Sequence, residues 1–215
     1  AASDVYKRQA MDFIREVKDE VSVSLAHTTA NYDTAMAAFE AGANHVTHLY
    51  NAMPPFAHRD PGVIGAAADS KDAYVEIICD GVHVHPAVIR ATFRMMGRER
   101  MVLVSDTMRA AGMPDGEYTL GGQAVFVKGN RAELADGTLA GSVTDLMNCM
   151  KTAVSFGIPL EDAVMAAAVN SAKSIGIYDR VGSLDVGKDA NVVVLDKDLN
   201  LKAVLFRGEL VHGAL

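Results

Sequence analysis

The chain has 215 residues, half of them apolar and 22% charged, a composition that suits a folded globular protein and excludes a disordered one. Its formal net charge of −7 argues against a general nucleic-acid or anionic-membrane surface, since both favour basic faces. No run approaches the roughly 20 apolar residues of a membrane span and no signal peptide is visible, so a soluble cytoplasmic protein is expected.

The opening "AASDVYKRQ" shares no periodicity with the rest of the chain, and residues 1–10 are read as a non-native or disordered leader. From there the chain alternates. Four β-branched or apolar runs each end in a polar, chemically capable residue: "VSVSLAH" at His27, "NHVTH" at His48, "AYVEIICDGVH" with Asp80 and His83, and "MVLVSD" at Asp106. Helical patterns lie between them. "NYDTAMAAFEAGA" carries Asn31 as N-cap and Gly42 as stop, and "HPAVIRATFRMMG" has Pro86 in its first turn and Gly97 at its end. This order predicts parallel βα units, in which reactive residues collect at the C-terminal ends of the strands.

Four such units make half of an eight-stranded barrel, so the fold class is α/β, the C-terminal half of a TIM-type (β/α)8 barrel within a longer chain. The barrel portion is assigned to residues 11–180. "YTLGGQAVFVKGNRAELADGTLAG", with its Gly-Gly, Gly-Asn and Asp-Gly pairs, predicts a β-hairpin insertion at about 117–139. Helical patterns resume from Ser142, and the alternating end, residues 181–215, predicts part of a small separate β domain. Cys79 and Cys149 lack metal-type spacing and lie in apolar runs, so both are expected to be buried free thiols.

A lone histidine is more often structural than a ligand. His27 and His48 end successive strands, however, and neutral imidazoles facing one pocket suit a divalent metal ion. Catalytic sites of this kind usually have three protein ligands, so a further one, a carboxylate, is expected elsewhere. Asp106 beside such an ion is placed to accept a proton from bound water, against the plain alternative of a turn cap. Asp80 precedes Gly81, so an Asp-Gly turn weighs equally with a chemical role. His83 and His85 flank Val84, and in an extended loop one of them faces the site. Arg59, in the proline-rich loop after His48, is either an exposed surface residue or a forked contact to an anion. His45 is expected to share the face of His48 in a supporting or packing role, and His58 stays open between anion contact and loop structure.

"THLYNAMPPFAHRDPG", "DGVHVHP", "VSDTMRAAGMPDGEY" and "DGTLAGS" closely resemble the N-acetylglucosamine-6-phosphate deacetylase family of the amidohydrolase superfamily. The likeness runs from about Val21 to the C-terminus. "GSLDVGKDANVVVLD" resembles the ending of many amidohydrolases and so supports only the superfamily. The resemblance implies a metal-dependent barrel hydrolase with a small β-sandwich domain, forming a homodimer when full length. Zinc is the first choice of ion, with iron and manganese also suited to such ligands. It matches His27 and His48 to metal ligands and Asp106 to the catalytic aspartate, with His83 stabilising the oxyanion. Asn51, Ala52 and Arg59 match residues meeting the phosphate of a phosphorylated amino sugar. Asp80, Gly81, Val82 and His83 match one substrate-contacting turn, and Leu139, Ala140 and Gly141 another.

The family's third metal ligand, a glutamate on an earlier strand, and the N-terminal strands of its small domain have no counterpart here. Ala26 stands where the family has glycine, and Arg109 where smaller residues are usual. The reaction implied is hydrolysis of the acetamide of N-acetylglucosamine 6-phosphate. The alternatives are another amidohydrolase, such as a cyclic amidase or deaminase, or an inactive fragment.

Overall fold

The computed structural model of the chain describes residues 2–3 and 8–214. Its organising element is a five-stranded parallel sheet whose spatial order follows the chain. The strands are β1 (Ala2–Ser3), β2 (Ser24–Leu25), β3 (His45–Val46), β4 (Tyr74–Ile78) and β5 (Met101–Val104). Register is continuous across the sheet: Ala2 faces Ser24, Ser24 faces His45, His45 faces Tyr74, and Val75 faces Met101.

Four of the five strands fall inside the runs anticipated from sequence, though shorter than those runs. The leader expected over residues 1–10 falls in part on residues 1 and 4–7, which lie outside the described residues. Of the rest, Ala2–Ser3 pairs with β2 and Arg8 already begins a helix.

Helices α1 (Arg8–Val17), α2 (Tyr32–Ala41), α3 (Gly62–Asp69) and α4 (Pro86–Met96) connect the strands. The start of α2 is fixed by Asn31, whose side-chain oxygen accepts from the Thr34 amide at 2.9 Å, an N-cap to the N3 position. Its end is fixed by Gly42 at φ 123°, a conformation costly to any residue with a Cβ. In α4 the cap is His85: its Nδ1 accepts from the Ala87 amide at 3.1 Å, with Pro86 in the first turn. That gives His85 a structural role.

Strand and helix side chains meet in one main core, which includes Ile14, Leu25, Val46, Ile64, Ile77, Ile89 and Met101, all inaccessible to solvent. Cys79 and Cys149 are buried there as free thiols, as expected.

After β5 the chain forms an antiparallel sheet of β6 (Gly116–Leu120), β7 (Gln123–Lys128) and β8 (Arg131–Glu133), over a smaller cluster that includes Met108, Val125, Val127 and Ala140. Helix α5 (Leu146–Ser155) comes next, then α6 (Leu160–Val164), a π-helical turn (Met165–Val169) and α7 (Asn170–Ser174). A second antiparallel sheet closes the described chain: β9 (Val192–Leu195), β10 (Leu201–Phe206) and β11 (Glu209–Gly213). No described helix is long and apolar enough to cross a membrane.

Candidate active site

The parallel strands end in step. β2 stops at Leu25, β3 at Val46, β4 at Ile78 and β5 at Val104, and His27, His48, Asp80 and Asp106 each stand two residues further on. In parallel βα sheets this rim is where ligand-handling residues gather.

Three of those four side chains open from a left-handed backbone: φ is 46° at His27, 32° at His48 and 47° at Asp106. Non-glycine residues adopt that region at a cost of order 1–3 kcal/mol each, and they persist where surrounding structure enforces them. The turn after His48 is further constrained, with Tyr50 at φ 79° and Ala52 at φ 51°. The Tyr50 hydroxyl bonds Thr92 Oγ1 at 2.6 Å, tying this turn to α4.

The two imidazoles meet at their outer nitrogens, Nε2 to Nε2, at 2.9 Å, with ring centroids 4.8 Å apart. Which nitrogen donates depends on the tautomers, and with the proton on Nδ1 of each ring both Nε2 atoms offer lone pairs to the same point. His48 is buried and His27 exposed, so the pair sits half in and half out of solvent.

Both line a cavity of about 370 Å³ together with Asp106, Thr107, Met108, Leu120, Gln123, Leu134, Leu139, Ala140 and Gly141. Two nitrogen donors converging on one point, with a carboxylate on the same wall, is a donor set that fits a divalent ion. Among the described residues no group of three or more His, Cys, Asp or Glu side chains stands close enough to hold one.

The segment of the lining that leads into Ser142 is stitched to the Asp106 turn. Asp106 O accepts from the Ser142 amide at 2.8 Å, and the Met108 amide donates to Ser142 O at 2.8 Å. The Ser142 hydroxyl also bonds the Ser105 carbonyl. Gly141, at φ 66°, lies so close that a Cβ there would come within 3.2 Å of Asp106 O. Leu139, Ala140 and Gly141 therefore share the cavity with His27, His48 and Asp106, although they are distant in sequence.

Asp80 and His83 form a separate, tightly bonded unit. Asp80 Oδ2 pairs with His83 Nδ1 at 2.7 Å, while Oδ1 accepts from the amides of Val82 at 2.8 Å and His83 at 2.9 Å. Burial pushes the Asp80 carboxyl upward, but the bonds from the His83 ring and the two amides outweigh it and hold the group below the usual carboxylate range. The structure thus bears out the turn role of Asp80, with its second oxygen on the His83 ring, and Gly81 supplies its φ of 78°. None of residues 80–83 lines the cavity.

Nor do Asn51, Ala52 and Arg59. Asn51 turns its amide back onto the carbonyls of His48 at 3.2 Å and Leu49 at 3.3 Å, which braces the turn. Ala52, His58 and Arg59 are exposed. A neighbouring cavity of about 320 Å³ is lined by Arg109, Glu117, Tyr118 and Thr119.

Sequence reasoning missed Leu120 and Gln123, which flank the Gly121–Gly122 turn of the hairpin and reach the cavity only through its fold. It also passed over Glu76, a lone carboxylate inside the apolar run of β4 that bonds His45 Nε2 at 3.0 Å.

The amidohydrolase family profile matches residues 2–211. The chain is 42% identical over 204 residues to the N-acetylglucosamine-6-phosphate deacetylase of Bacillus subtilis (strain 168), covering 94% of this chain and 52% of that protein. It is 39% identical over 206 residues to the N-acetylgalactosamine-6-phosphate deacetylase of Escherichia coli O157:H7, covering 95% and 54%. Among solved structures it superposes on a point variant of the Mycobacterium smegmatis N-acetyl-D-glucosamine-6-phosphate deacetylase in complex with N-acetyl-D-glucosamine-6-phosphate. The TM-score is 0.93 at 37% identity, covering 98% of this chain and 56% of that one. The chain spans about half the length of the curated relatives it matches.

Proposed function

The chain belongs to the amidohydrolase family, and we propose that it supplies half of the active site of a metal-dependent deacetylase acting on N-acetylglucosamine 6-phosphate. The observation that carries this reading is the meeting of His27 Nε2 and His48 Nε2 on the wall of a cavity shared with Asp106. The closely similar relatives act, by name, on 6-phosphorylated N-acetylhexosamines. The five parallel strands in chain order, from a chain half as long as its relatives, support the reading of half a (β/α)8 barrel. The β9–β11 sheet is then part of the small β-sandwich domain.

In this reading His27 and His48 hold the ion, zinc in the first instance, and a carboxylate outside this chain completes its shell. Such an ion, when bound, lowers the pKa of a water and polarises the acetyl carbonyl. Asp106 then takes the water proton as general base and returns it to the departing amine as general acid. His83, whose Nδ1 is engaged by Asp80, presents Nε2 as the free end of its ring. With a proton there, it donates to the oxyanion that develops at the acetyl carbon. Arg59 and the backbone at Asn51 and Ala52 grip the phosphate, and that remote contact aligns the amide for attack.

Asp80, Gly81 and Val82 shape the turn that carries His83, while Leu139, Ala140 and Gly141 form the wall against the sugar. The resemblance extends the proposal to a homodimer in the cytoplasm.

The galactosamine epimer is the second reading, favoured by the 39% identity to the Escherichia coli relative. The amide chemistry is common to both, and only the contact at the sugar's fourth carbon separates them. The test is Asp106→Asn in the full-length enzyme, assayed for acetate release from both 6-phosphates. The expected outcome is a loss of several orders of magnitude in turnover with metal content retained. Undiminished turnover rejects Asp106 as the base.

A further inference from the structure

We propose that Glu76, clamped by His45, is a positioning residue that fixes the backbone from which His48 reaches its ion. The inference rests on the reading of His27 and His48 as ligands. The regular ladder of β3 ends where Val46 faces Val75. Beyond it His48 turns at φ 32°, outside the strand region, so its amide leaves the ladder while the Leu49 amide returns to β4.

Both are received by one residue. The Leu49 amide donates to the Glu76 carbonyl at 2.8 Å, and the His48 amide to Glu76 Oε2 at 3.4 Å. The other carboxylate oxygen, Oε1, is taken by His45 Nε2 at 3.0 Å. The side chains of His45 and Glu76 are 7% and 20% exposed, so the carboxylate is gripped away from bulk water. The ring of Tyr74 lies 6.2 Å from that of His45.

The ring of His48 has no such support of its own. A ligating imidazole is ordinarily oriented through a hydrogen bond from its second nitrogen. His48 Nδ1 is buried and has no hydrogen-bond partner among the described residues. Apart from its Nε2 contact with His27, the direction of the ring is therefore set through its backbone, which is what Glu76 holds. This gives His45 a function that its sequence position left open.

The test measures Zn2+ affinity of the full-length protein, by competition with a chromophoric chelator, in four variants checked for folding by circular dichroism. His48→Ala must lose binding; if it does not, the ligand reading itself fails. Glu76→Ala is expected to weaken Zn2+ by about tenfold or more, the range seen when partners of ligands are removed. Glu76→Gln, which keeps an oxygen for the His48 amide, is expected to retain most of the affinity. Unchanged affinity in Glu76→Ala, with binding lost in His48→Ala, overturns the positioning role and leaves the ligands standing. Equal losses in the Gln and Ala variants assign the effect to charge and overturn it too. If the alanine variant does not fold, Glu76→Asp decides. It keeps the charge but shortens the reach by one methylene, so wild-type affinity in that variant overturns the inference.

Discussion

Gly141 packs against the backbone of Asp106, and its replacement by alanine puts a number on how tightly that contact is built. At φ 66° an added Cβ costs about 1–2 kcal/mol in backbone strain alone. The same atom would sit 3.2 Å from Asp106 O and 3.3 Å from Met108 Cβ, closer than side-chain carbons ordinarily pack. Relieving that overlap means shifting a backbone that is itself bonded to the Ser142 amide, at a further ~1–2 kcal/mol typical of overpacking. The sum is about 2–4 kcal/mol, equivalent to a fall of roughly 4–16 °C in Tm for a chain of this size.

Gly137→Ala provides the comparison. Gly137 has φ 85° and nothing within 4 Å of an added Cβ, so it carries the strain without the crowding. Thermal unfolding followed at 222 nm should place Gly141→Ala below Gly137→Ala, and both below wild type. Equal shifts in the two variants would refute the crowding argument. A Gly141→Ala chain as stable as wild type would refute the geometry of the wall.

Asp80 makes the acid limb of stability a second test. Its folded carboxyl titrates below the ordinary range, so it stabilises the fold above about pH 4 and that contribution is lost as pH falls through the folded value. Urea midpoints between pH 6 and 2.5 should therefore fall less steeply in Asp80→Asn than in wild type, and parallel curves would contradict this. Burial pushes the thiols of Cys79 and Cys149 up to about 12 and about 11. Neither should react with a thiol reagent at pH 8 until denaturant is added, and rapid native labelling of either would place it outside the core. If Arg59 grips the phosphate as proposed, Arg59→Ala in the full-length protein should raise KM for the phosphorylated sugar while leaving weak activity on unphosphorylated N-acetylglucosamine unchanged. An equal loss on both substrates would remove Arg59 from the phosphate.

The parts of the fold that were legible in sequence are those with a strong local cause. β-branched runs ending in His27, His48, Asp80 and Asp106 announced parallel strands, and Asn31, Gly42, Pro86 and Gly97 marked helix ends that the structure places at those residues. α3 was not anticipated. Its sequence, "GVIGAAAD", is nearly all small or apolar and largely buried, so it carries no amphipathic period to read. β1 was missed because a two-residue strand offers no pattern at all.

At the site, the convergence of His27 with His48 followed from strand order. Leu120, Gln123 and the clasp between Asp106 and Ser142 depend on how a hairpin folds back, and no spacing rule encodes that. Glu76 was visible as a charge in an apolar strand, but its partners lie 28 and 31 residues away.

The left-handed backbone at His27, His48 and Asp106 sets a trap for anyone hardening this protein against heat. A scheme that rewards conformational comfort would nominate these three positions first, offering glycine or asparagine in their place. It would strip the cavity of both imidazoles and its carboxylate. Stabilisation has to begin elsewhere, with these uncomfortable turns left as they are.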